Sequence, residues 1–230
     1  FQFVSLSRTA RAIMPCFGTA PKNFAWTDHG LRTRRVALYE PVLSFARAAF
    51  KQCTMKHYDF AQIFRALYDK SVSLYAKGQR GAGTFFTADE GAWLAANGLS
   101  PQHLYDYAED QTGYGEPGFD HAIAIECVRR NYFLNVQGDH ASNLVLGIDQ
   151  LPAKTDAVRG IEWLPRLIPK TKAKLRGELP ESLMYCCGGD RRFFMAHDIF
   201  PAEFLSVVWR HEHDDDAIVE WVVRRSAAAK

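Results

Sequence analysis

The sequence predicts an all-α fold: two packed helical modules behind an irregular N-terminal extension. Three observations carry that expectation. Apolar residues recur at helical spacing through most of the chain after Met55, and helix start and stop signals bracket those stretches. No run alternates apolar and polar residues as a half-buried strand does. The chain has 230 residues, 47% hydrophobic and 23% charged, enough for one or two domains with a substantial core. No apolar run approaches the ~20 residues that cross a bilayer, so no membrane partner is expected. Five scattered cysteines point to reduced thiols and a cytoplasmic setting rather than a disulfide framework.

Charge divides the chain. Residues 1–56 hold nine Lys/Arg against two acids, and the remaining 174 hold 19 against 24. Residues 1–54 therefore read as a basic leader, with three explanations: a targeting peptide, a disordered extension, or an upstream-translation segment ahead of Met55. The first residue, Phe1, favours the last of these. The acidic remainder argues against nucleic acid as a partner.

The elements follow in order. In 58–77, Phe60, Ile63, Phe64, Leu67, Tyr68, Val72 and Tyr75 form a helical stripe, and Gly78 stops it. Gly78 to Gly83 lacks the Lys-Ser/Thr of a phosphate-binding loop and reads as a plain connection. Thr87-Ala-Asp-Glu90 is a capping-box pattern, and Asn97-Gly98 ends the helix it opens. Ser100-Pro101 supplies an N-cap and a first-turn proline for the next. A longer helix is expected from Phe119 to Val136, completing an N-terminal module over 55–136. Residues 137–158 look like a linker. The C-terminal module, 159–230, starts with a helix over Gly160 to Leu175, in which Pro169 should kink or restart the chain. Further helices are expected over Asp190 to His197, Pro201 to Arg210, and after Asp214 to Asp216.

Leu164-Pro-Arg-Leu-Ile-Pro-Lys-Thr-Lys-Ala-Lys-Leu-Arg-Gly177 resembles the signature helix of a bacterial family, the domain of unknown function numbered 5069. Tyr185 to Asp190, Phe204-Leu205 and Asp214 to Val223 resemble its later parts. The resemblance covers the last third of the chain. It implies an architecture and no catalytic residues.

Chemistry concentrates at Met184-Tyr-Cys-Cys-Gly-Gly-Asp-Arg-Arg-Phe-Phe194. A thiol at a helix N-terminus beside arginines suits a nucleophile. Cys187, Asp190 and Tyr185 are accordingly the candidate catalytic residues, and Arg166, Arg191, Trp163 and Tyr132 the candidate ligand contacts. The plain alternative is a tight turn with one buried cysteine, an Asp N-cap and solvated arginines. Lys170 and Lys174 share a stripe with Arg166 that reads as solvated. Glu109, Asp110, Glu116 and Glu126 likewise read as solvated carboxylates, and His103 as a weak general-base candidate. Of Arg129 and Arg130, one is expected to face the groove between modules. His211-Glu-His-Asp-Asp-Asp216 fits helix-end electrostatics better than a metal site, so no metal and no cofactor is expected. The leading functional expectation is a pocket between the modules for a small molecule, with an anionic ligand and an unnamed enzymatic reaction both left open. The alternative is a non-enzymatic interaction module. Oligomeric state is left open.

Overall fold

Eight α-helices and one short hairpin make up residues 57–228, the part of the chain that the computed structural model describes. The fold is all-α. The leader expected over 1–54 lies outside the described residues.

Helix α1 (Phe60–Ala76) buries Phe60, Ile63, Phe64, Leu67 and Tyr68 on one side. Helix α2 (Ala88–Ala96) opens on the expected capping box: Thr87 Oγ1 accepts from the Glu90 amide at 3.3 Å, and the Glu90 carboxylate accepts from the Thr87 amide at 2.7 Å. Such a cap satisfies two backbone donors that helical geometry leaves unpaired. Helix α3 (Pro101–Tyr114) starts on Pro101, whose missing N–H is no loss in a first turn. Helix α4 (Phe119–Asn135) then serves two cores. Its Ala122 packs with Phe64, Leu94, Leu104 and Tyr107. Its Ile125 and Tyr132 pack with Leu164, Leu167, Leu175, Phe204 and Val208. Each fully buried Leu or Phe there stabilises by ~1.5–3 kcal/mol.

Residues 136–156 are irregular apart from one 3-10 turn, Ile148–Gln150. Strands β1 (Ala157–Val158) and β2 (Ile161–Glu162) form a two-residue antiparallel hairpin. The helix expected from Gly160 therefore starts later: Trp163, at φ 70, turns the chain into α5 (Leu164–Arg176). Nor does Pro169 restart the helix, which runs unbroken through it. The lost hydrogen bond concerns one carbonyl, that of Pro165, and burial of Leu164, Leu167, Ile168 and Leu175 on the same helix offsets it.

Helix α6 (Gly188–Ala196) begins two residues before the expected Asp190, which leaves Cys187 as its N-cap residue. Helix α7 (Pro201–Arg210) has its expected bounds. In α8 (Asp215–Ala228) the Asp214 carboxylate accepts from the Ala217 amide at 3.0 Å, an acidic cap as expected. Helix α4 packs on both α5 and α7, and α1 packs on α3. The seam between the two cores thus runs along α4, with α3 on one side and α5 on the other.

Candidate seam cavity and the thiol-bearing turn

Helix α5 and the start of α6 bring Cys187, Asp190 and Trp163 together, with one residue that the sequence reading placed in solvent. Lys170 is 2% exposed. Its ammonium donates to Asp190 Oδ2 at 2.7 Å and approaches Cys187 Sγ at 3.3 Å. Asp190 is fully buried and also accepts from Trp163 Nε1 at 3.0 Å and from the Cys186 amide at 2.8 Å. Its carboxylate is thus surrounded by three donors, as a buried charge requires. Cys186 holds φ 68, a conformation that costs a non-glycine residue of order 1 kcal/mol. Asp190 and Arg191 grip this turn from both sides, since Arg191 donates to the Cys186 carbonyl at 2.8 Å. Gly189 has a steric role, because a Cβ there would collide with the Trp163 indole. Burial pushes the Cys186 thiol up to about 12, with the Asp190 carboxylate adding to it.

The remaining predicted contacts sit apart. Arg166 donates to the Pro152 carbonyl at 2.8 Å. Tyr132 donates to Glu212 at 3.0 Å, which also binds Arg176. Arg191 reaches to the N-terminal side and pairs with Asp110 at 2.6 Å and Glu116 at 2.8 Å. Tyr185 is buried and donates to the Pro201 carbonyl at 2.8 Å. Neither Cys187 nor Asp190 lines either of the two hollows described below. Among the described residues, no cluster of three or more His, Cys, Asp or Glu side chains is placed to hold a metal ion.

The larger hollow lies elsewhere on the seam, between α3, the C-terminal end of α5 and the segment leading to Tyr185. It has a volume of about 450 Å³. Leu99, Tyr107, Arg129, Lys174 and Tyr185 are its buried lining residues, and the exposed Gly83, Ala95, Ala141 and Glu181 stand at its mouth. His103 and Asp106 project from α3 onto one wall. Behind the wall, fully buried Glu126 accepts through Oε1 from Lys174 at 2.6 Å and from Tyr107 at 2.8 Å.

The expectation of solvated charges fails here. Lys174 is 3% exposed and Glu126 fully buried, whereas Arg129, one of the two arginines considered for the groove, is 2% exposed. The reason is geometric: Ala122, Ile125, Glu126, Arg129 and Phe133 share one face of α4, so the helical period carries both charges inward. That stripe was readable in the sequence. What it could not show is that α5 supplies Lys174 opposite Glu126.

Three polar atoms in this region are buried without a hydrogen-bond partner: His103 Nδ1, Glu126 Oε2 and Arg129 Nε. His103 Nδ1 lies 3.7 Å from Glu126 Oε2, beyond hydrogen-bond range. Burial, reinforced by the Lys174 charge, lowers the His103 imidazole to about 3, so it is neutral at pH 7. Burial raises Asp106 to about 7, although the side chain of Gln102 donates to it at 2.6 Å. Burial works against the Glu126 charge too, but Lys174 and its hydrogen bond win, and Glu126 titrates below the usual carboxylate range. Burial brings the Arg129 guanidinium down to about 10, still fully charged at neutral pH.

The second hollow, about 270 Å³, lies where α6 meets α7 and is lined by Glu116, His121, Cys186, Arg191, Met195 and Phe200 among others.

Residues 150–230, which contain the hairpin and α5 to α8, match the family described as Domain of unknown function (DUF5069). The match takes in Lys174, Tyr185 and the thiol-bearing turn, whereas His103, Asp106, Glu126 and Arg129 precede it. No curated protein and no solved structure matches the chain. No helix among the described residues is long and apolar enough to cross a membrane.

Proposed function

We propose that the seam cavity binds a small molecule and that this is the protein's function. One observation carries the reading: three buried polar atoms without hydrogen-bond partners, on His103, Glu126 and Arg129, lie in or just behind the wall of an accessible hollow of about 450 Å³. Buried polar atoms are almost always satisfied, and leaving one unpaired costs ~1–3 kcal/mol. A fold that keeps two of them on residues lining one cavity, His103 and Arg129, has groups to offer a guest. The volume suits a molecule of metabolite size.

Asp106 gives the cavity a group that exchanges a proton near neutral pH, the property an acid or base catalyst needs. An enzymatic reaction on the bound molecule is consistent with that, and Asp106 is its first candidate. In this reading Tyr185 belongs to the floor, and Cys187 and Asp190 brace the turn that carries it. The alternative of an interaction module draws on exposed Met195 and Phe200 beside the smaller hollow, and it takes second place.

The test is a fragment library of mixed charge, screened by ligand-observed NMR against the wild-type chain and Leu179→Trp. Leu179 lines the cavity, and an indole there would occupy it. Saturable binders that Leu179→Trp loses support the proposal. A library in which nothing binds, or whose hits ignore the indole, refutes it.

A further inference from the structure

The buried cations of the cavity are not all paired, and the unpaired one specifies the guest. Lys174 is neutralised by Glu126 and Arg176 by Glu212, both at 2.6 Å. His103 is neutral at pH 7. Arg129 alone among the cavity's cations has no carboxylate within ion-pair distance among the described residues. Its Nη1 donates to the Gln137 side chain at 3.0 Å, its guanidinium carbon lies 5.4 Å from the Phe133 ring centre, and its Nε has no partner. It packs so close to Gly177 that a Cβ there would come within 2.5 Å of Nη2. A charge that is 98% buried and unpaired is costly, because desolvation is paid without a counterion.

We propose that the seam cavity takes a small amphipathic carboxylate carrying one negative charge. Its carboxylate meets Arg129, and its apolar body lies against Leu99, Leu179, Leu183 and Met184. This rests on the cavity being a binding site, as argued above, and adds the chemical class. One unpaired cation calls for one negative charge. A phosphate dianion would leave a second charge desolvated, beside an Asp106 carboxylate that already adds negative charge as it ionises. Four apolar side chains on the wall favour a guest with a hydrocarbon portion over a bare ion.

The experiment uses matched probes: benzoate, hexanoate, benzamide and phenyl phosphate, titrated by ligand-observed NMR at constant ionic strength. Proteins are wild type, Arg129→Met, Arg129→Lys and Leu179→Trp. Expected is saturable binding of both carboxylates to wild type, at least tenfold weaker binding of benzamide, and at least tenfold loss of benzoate binding in Arg129→Met. Arg129→Lys should retain part of it. Phenyl phosphate binding more tightly than benzoate overturns the monocarboxylate class and leaves the cavity as a binding site. Benzamide matching benzoate, with no effect of Arg129→Met, removes Arg129 as the anchor and again leaves the site. Failure of all four probes on wild type counts against the class and, together with an empty fragment screen, against the binding site. Should Arg129→Met not fold, loss of benzoate in Leu179→Trp locates the carboxylate in the cavity, and benzoate against benzamide still reads the charge.

Discussion

His103 and Asp106 sit three residues apart on α3, and folding shifts their titrations in opposite senses. An acid raised from 3.8 to about 7 stabilises the fold most at low pH, and that contribution disappears as pH rises through 7. A histidine lowered from 6.5 to about 3 contributes above 6.5, and its contribution is lost as pH falls toward 3. In the wild-type chain the two slopes oppose one another between pH 6.5 and 4. Each slope is ~1.4 kcal/mol per pH unit, so separating them exposes large effects. His103→Gln keeps only the Asp106 slope, and its stability should rise relative to wild type by ~2 kcal/mol as pH falls from 6.5 to 5. Asp106→Asn keeps only the histidine slope and, over the same window, should lose ~2 kcal/mol relative to wild type. Above pH 7 the same variant should be more stable than wild type, because it no longer buries a carboxylate whose desolvation the Gln102 hydrogen bond and the Lys174 charge only partly offset. The assay is urea unfolding followed by tryptophan fluorescence at half-unit steps from pH 5 to 8. Taking differences from wild type removes the remaining titrating groups. Flat difference curves for both variants would falsify the burial argument for this wall of the cavity.

Lys174→Met alone should cost ~3–5 kcal/mol in unfolding free energy, because it leaves the Glu126 carboxylate buried with only Tyr107 as donor. Adding Glu126→Met should recover most of that loss in the same denaturation assay, and a double variant no better than the single one would contradict the assignment. Arg129→Met should leave the midpoint unchanged or raise it, since it removes an unpaired buried charge, and a drop above ~2 kcal/mol would mark the arginine as structural. Gly189→Ala should destabilise by ~1–3 kcal/mol and change Trp163 fluorescence, as the new methyl displaces the indole from Asp190. Maleimide at pH 7, read by peptide mapping, should label half-buried Cys187 well ahead of Cys186, whose thiol is buried and held protonated. Equal rates at the two would mean the turn opens readily.

Local sequence determined where helices start and stop. The Thr87–Glu90 box, the first-turn prolines at 101 and 201 and the Asp214 cap act within four residues of themselves, so their reading needs no tertiary information. Where a longer-range contact intervened, that reading slipped: strand pairing of 157–158 with 161–162 delayed α5 to Leu164, and packing carried the helix through Pro169. The candidate site was legible only in outline. A seam between helical modules and an arginine facing it could be anticipated, and so could the proximity of Cys187 to Asp190. Whether the lysines of α5 are buried was decided by tertiary structure alone. Lys170 and Lys174 look like a solvated stripe until Asp190, 20 residues away, and Glu126, 48 residues away, arrive as partners. A lysine's sequence neighbours set its helical face, but its burial depends on whether a carboxylate from another element offsets the desolvation cost, and that partner is chosen only when the helices pack.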